Sequence, residues 1–164
     1  HDLLSFPYPI KNETFDIIYL RHVIEHFDIN EINLVLNECH RILSNHGKLN
    51  ISVPHAFSLA AYTDITHKSY FTFNSGRFWD KSHSKSYYKD RVLLWELIQI
   101  NSKVNWFDWK RYRLRKIDII ISGLMNNKIK KALKNTQNPS LADRLVKKYT
   151  FQFVEIRWTF RKAT

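Results

Sequence analysis

A chain of 164 residues and 19.8 kDa, 44% apolar and 15% aromatic, can bury one core but not two, which excludes both a disordered segment and a multidomain array. Its single cysteine, Cys39, excludes an intramolecular disulfide and an all-cysteine zinc site, and favours a reducing, cytoplasmic setting. The formal charge of +11 is lopsided: residues 1–76 hold five Lys/Arg against eight Asp/Glu, and residues 77–164 hold twenty-one against seven.

Phe15 to Leu20 (FDIIYL) is a short β-branched and aromatic run, read as a buried parallel strand. Asp28 and Glu31 form D-x-x-E ahead of Ile32, Val35, Leu36, Cys39, Ile42 and Leu43 at steps of three and four, which predicts a capped amphipathic helix. Asn45-His46-Gly47 is expected to close it, with the glycine taking the left-handed stop position. Lys48 to Pro54 alternates Leu49, Ile51 and Val53 with polar residues and predicts a second strand. Strand, helix and strand with short joints make a βαβ crossover, so the class is α/β, with a sheet covered on both faces.

His55 to Lys89 shows no sustained period but is dense in Thr, Ser, His and aromatics, as expected of a functional loop region. Val92 to Val104 reads as a strand. Residues 106–149 read as largely helical and basic, with Ser140 capping a short helix to Lys148. Val154, Ile156, Trp158 and Phe160 then alternate with Glu155, Arg157, Thr159 and Arg161, a final strand with unequal faces. The longest nearly apolar run, Ile117 to Met125, contains Asp118 and falls far short of the ~20 residues a membrane span needs.

Two constellations carry chemistry on their face. His22-Val23-Ile24-Glu25-His26 matches H-x-x-E-H, in which two histidines one helical turn apart hold zinc and a glutamate activates water. Its position directly after a strand, with little helix to support it, argues against that reading. Trp106 to Lys116 interleaves aromatics with cations, either to stack on bases, to settle at a membrane surface, or to pack aromatics inward with the charges in water. No recognised nucleic-acid module accompanies it, so no specific nucleic-acid partner is expected.

The order of motifs carries more than either cluster. His1-Asp2-Leu3-Leu4-Ser5-Phe6-Pro7-Tyr8-Pro9, Phe15 to Leu20, His22 to His26, Leu36 to Leu43 and Gly47-Lys48-Leu49 together resemble the second half of class I S-adenosylmethionine-dependent methyltransferases, and more narrowly their type 11 methyltransferase-domain group. Residues 1–54 match best, and Asp64 to Thr72 is similar to the D-P-T-H-x-x-x-F-T segment of some members. The resemblance implies a partial Rossmann-like α/β sheet, mostly parallel with an antiparallel C-terminal strand, that binds its cofactor outside the carboxyl ends of the strands.

Position by position, the resemblance implies that Asp2 accepts from the adenine amino group with the Leu3 backbone beside it. Leu20, Arg21 and His22 would border the methionine portion, and His26 would lie on the adjoining turn, although Arg21 read alone is a solvated cation and His26 a packing residue. His67 falls where acceptors approach; it either takes a proton from a hydroxyl or amine, or makes a structural hydrogen bond. No resident metal is implied. The acceptor class is a small molecule or glycan, anionic in view of the basic second half, and peripheral membrane contact is compatible with residues 106–116.

The family's glycine-rich loop is absent from a sequence with only Gly47, Gly76 and Gly123, where average usage of roughly 7% would give about eleven glycines. The expectation is a single, N-terminally truncated domain: a core βαβ at 1–54, an acceptor-side loop region at 55–91, and basic strands with a helical insert at 92–164. Such a piece should bind the cofactor poorly and expose a sticky sheet edge. The rival readings are a basic nucleic-acid or membrane-surface module, a zinc hydrolase using His22, Glu25 and His26, and an inactive partner protein.

Overall fold

The computed structural model describes residues 1–83, 95–105, 124, 126–134, 140–149 and 153–163. The expectations that fall on residues 84–94 and 106–123 lie outside that set.

Strand β1 (Phe15–Arg21) leads through a single 3-10 turn at Ile24–His26 into helix α1 (Ile29–Ile42), which returns the chain to strand β2 (Leu43–Pro54). β1 and β2 pair in parallel, the predicted crossover. A short helix, α2 (Ala60–Thr63), follows, then β3 (Trp95–Asn105), helical residues 126–133 (α3), α4 (Ser140–Tyr149) and β4 (Phe153–Lys162). β4 inserts between β2 and β3 and runs antiparallel to both, giving the mixed order β1-β2-β4-β3.

The core follows from periodicity. α1 buries Ile32, Val35, Leu36 and Cys39, all on one stripe, against Leu49, Ile51 and Val53 from β2. The alternating face of β4 is fully buried at Val154, Ile156, Trp158 and Phe160. Trp158 sits edge-on to Phe71 and near Trp79, and its indole N–H donates to the Phe73 carbonyl. Gly76 lies so close that a Cβ there would stand 2.7 Å from Trp158 Nε1, so the Trp seat requires glycine at 76.

The helix start is as the sequence predicts: Asp28 accepts from the N–H groups of Asn30 and Glu31 while Glu31 accepts from the Asp28 N–H, a complete capping box. The helix end differs. α1 stops at Ile42, because Leu43 is extended (φ −82°, ψ 136°), buried, and already paired with Phe15 across the sheet. The left-handed residue is His46 (φ 63°), not Gly47, whose lack of a side chain instead admits Leu43: a Cβ at 47 would lie 2.6 Å from Leu43 Cγ. β1 also differs from the fully buried strand expected, because it lies at the edge of the described sheet. Leu20 is buried, whereas Phe15, Ile17 and Tyr19 are exposed.

The N-terminal segment is pinned by one side chain. Arg41 on α1 donates to Glu38 and to the carbonyls of Tyr8 and Ile10 as well as Asn12, while Glu38 accepts from the Tyr8 N–H. The guanidinium and that N–H hold the Glu38 carboxyl below the usual carboxylate range.

Candidate functional site

Of the residues singled out by sequence, Arg21 ends β1, His22 and His26 follow it, and His67 packs against His26. His22 leaves β1 in a left-handed conformation (φ 51°), yet its N–H still donates to Ser52 of β2. That turn swings the imidazole away from the strand, where Nδ1 donates to Glu25 at 3.1 Å and Nε2 reaches Glu155 of β4 at 3.4 Å. The bond to Glu155 and then that to Glu25 outweigh partial burial and push the His22 pKa up to about 9. Reciprocally, His22 and then Arg157 hold the Glu155 carboxyl down at about 2.

His26 and His67 meet edge to face, ring centroids 4.9 Å apart. The backbone arranges this: the N–H groups of Lys68 and Ser69 both donate to the Glu25 carbonyl, and the Ser69 hydroxyl donates to Phe27, folding the 64–69 loop over the 3-10 turn. Thr66 donates its hydroxyl to Asp64, so it accepts from His26 Nδ1–H at 2.9 Å. His67 Nδ1–H donates to the Ala61 carbonyl at 2.8 Å. In both rings the proton is thereby fixed on Nδ1 and the lone pair stands on Nε2. Thr66, its bonds to Asp64 coming first among the causes, keeps that carboxyl below its ordinary range.

Glu25 completes the cluster. Its side chain is 1% exposed, and Oε2 has no hydrogen-bond partner. One ligand-type atom from each of Glu25, His26 and His67 lies within 4.8 Å of the other two. The H-x-x-E-H spacing therefore does not bring its two histidines to one ligand set: both nitrogens of His22 are taken by Glu25 and Glu155, and the histidine that joins Glu25 and His26 is His67. An α-helical turn would have set positions 22 and 26 on one face, but the observed turn starts only at Ile24.

The other sequence candidates lie as follows. Asp2 is exposed, and its Oδ1 accepts from the Leu4 N–H; the Leu3 carbonyl accepts from the Tyr8 hydroxyl. Leu20 packs in the core, so only its backbone reaches the strand end. Arg21 is exposed and lies over the Tyr19 ring at 5.1 Å. Sequence reasoning missed Glu155, and it missed the exposed apolar surface of Leu59, Tyr62, Ile65 and Tyr70 beside His67, where the two tyrosine rings stack at 5.0 Å.

Residues 2–51 match the model of a family described as a methyltransferase domain. Among solved structures, the chain resembles a SAM-dependent methyltransferase from Archaeoglobus fulgidus, with a TM-score of 0.55 and 13% identity over 99% of this chain and 66% of that one. Residues 2–51 thus resemble a methyltransferase domain, and the fold is similar to that of this methyltransferase. A provisionally assigned sarcosine dimethylglycine methyltransferase from Galdieria sulphuraria is similar at a TM-score of 0.52 and 15% identity, over 99% of this chain and 57% of that one. The chain thus spans less than two thirds of either structure. No curated protein matches it in sequence. Among the described residues, no helix is long and apolar enough to cross a membrane.

Proposed function

We propose that the chain takes part in S-adenosylmethionine-dependent methyl transfer to an oxygen or nitrogen nucleophile on a small-molecule or glycan acceptor, in the cytoplasm. The observation that carries this reading is that His22, His26 and His67 gather just past the carboxyl end of parallel strand β1, where open α/β sheets bind ligands, in a chain whose residues 2–51 match a methyltransferase domain. The donor set suits part of the cofactor. Asp2 offers acceptor oxygens to the adenine amino group beside the Leu3 N–H, and the backbone at Leu20 to His22 borders the methionine side.

S-adenosylmethionine, when bound, supplies an electrophilic methyl group on a positively charged sulfur. The chain's own part is mostly positioning: in-line approach of the nucleophile accounts for most of the acceleration. His67 Nε2, its proton fixed on the other nitrogen by Ala61, accepts the proton of an acceptor hydroxyl or amine. The stacked Tyr62 and Tyr70 offer an apolar and aromatic floor for that acceptor, as sugar rings and aromatic small molecules require. The excess of Lys/Arg in residues 77–164 favours an anionic one.

Saturation-transfer NMR with S-adenosylhomocysteine tests the reading. Saturation of the adenine protons is expected in the parent chain and lost in Asp2→Ala, with little dependence on salt. Absence of saturation, or saturation that Asp2→Ala leaves unchanged, overturns it. Retention driven by salt-sensitive binding of nucleic acid or anionic vesicles without cofactor would support a basic binding module instead.

A further inference from the structure

We infer that Glu25, His26 and His67 form a divalent transition-metal site, with zinc its best-matched ion, made of one carboxylate oxygen and two imidazole Nε2 atoms. Three observations support it independently of the methyl-transfer reading.

The first is proximity: the three ligand-type atoms lie within 4.8 Å of one another, a spacing that small side-chain rotations close to the ~3.3 Å edge of a tetrahedral zinc site with bonds of ~2.05 Å. The second is the orphaned oxygen. A carboxylate 1% exposed with Oε2 unpartnered is costly to keep in a folded protein, and a cation at that oxygen removes the cost. The third is the supporting shell. Each histidine donates Nδ1–H, one to Thr66 and one to a backbone carbonyl, the pattern that orients imidazole ligands and leaves Nε2 free to bind. Thr66 is itself held by Asp64, whose second oxygen stands 4.0 Å from His67 Nε2.

Two nitrogens and one oxygen select zinc over magnesium or calcium, which prefer oxygen alone. Three protein ligands would leave the fourth position of a tetrahedral site for water or an acceptor. An acceptor hydroxyl or water there would be acidified by the ion, and its proton released to solvent. His67 would then be a ligand, and its lone pair would be withdrawn from general-base work for as long as zinc is held.

Equilibrium dialysis of the chelator-stripped chain against ZnCl₂, read by elemental analysis, tests the site without reference to catalysis. One equivalent is expected, with cobalt(II) giving tetrahedral d–d bands and magnesium not competing. His67→Ala and Glu25→Gln should abolish stoichiometric uptake, with folding checked by far-UV circular dichroism; Thr66→Val should weaken it about tenfold. His22→Gln should keep one equivalent. No uptake by the folded parent chain overturns the inference. So does uptake that both Glu25→Gln and His26→Ala leave intact, or uptake abolished by His22→Gln but not by His67→Ala, which would restore the H-x-x-E-H grouping. None of these outcomes alters the adenine saturation experiment, so the two readings fail separately.

Discussion

The ends of β1 and β2 both carry histidines, and they are treated in opposite ways. His55, just past β2, is wholly buried and closed: Nε2–H donates to Asp143 of α4 at 2.9 Å and Nδ1 accepts from the Phe57 N–H. Asp143 also takes the Phe73 N–H, and the Phe73 carbonyl in turn holds the Trp158 indole, so this histidine is wired into the core. His26 and His67, past β1, are partly buried, the His67 side chain 7% exposed, and half-satisfied, each with one nitrogen engaged and the other facing its neighbours. The difference separates structural from chemical use: a ring with both nitrogens committed holds elements together, and a ring with one nitrogen free can bind or take a proton.

Breaking the closed side should cost most. Asp143→Ala strands two buried donors, His55 Nε2–H and the Phe73 N–H, and should lower unfolding free energy by about 3 kcal/mol in urea titrations. A loss below ~1 kcal/mol would mean that His55 is not locked. On the open side, Thr66→Val should cost no more than about 1 kcal/mol in the same assay, because Thr66 and its partner Asp64 face water. A loss as large as that of Asp143→Ala would erase the distinction.

Between the two lies His22, whose imidazolium is held by acids from either side. Its folded pKa, about 9, lies above the ordinary value of 6.5, so its stabilisation is full below pH 6.5 and lost as pH rises through 9. Melting curves in chelator should show a decline in Tm from pH 7 to 9.5 that His22→Gln flattens. Glu155, at about 2, contributes in the opposite sense: its stabilisation is present above the normal carboxylate range and lost as pH falls toward 2. The smallest effect belongs to Glu25→Gln in chelator, within about 0.5 kcal/mol, since the amide oxygen still accepts from His22. A large loss would mark the Glu25 charge as structural.

What could be read in advance was what short-range patterns encode. The box at Asp28 and Glu31, the stripe of α1 and the alternation of Val154 to Phe160 each lie within one element, where spacing alone dictates the face. The early end of α1 was hidden, since it depends on Leu43 pairing with Phe15, 28 positions away along the chain. His67 was visible as a candidate, but its meeting with His26 depends on backbone bonds to Glu25 that no local pattern announces. Glu155 and Asp143 were illegible for the same reason, lying 133 and 88 residues from the histidines they hold. The H-x-x-E-H spacing presumes an α-helix where the chain makes one left-handed residue and one 3-10 turn.

That left-handed residue narrows what position 22 can become. Glycine adopts φ near +50° freely and asparagine or aspartate with little strain, whereas valine, isoleucine and threonine pay for their branched Cβ. A library randomised at this codon and sorted for folded chains should return glycine and asparagine ahead of any aliphatic residue. Recovery of histidine would then report selection on its side chain, since the backbone alone would have preferred something smaller.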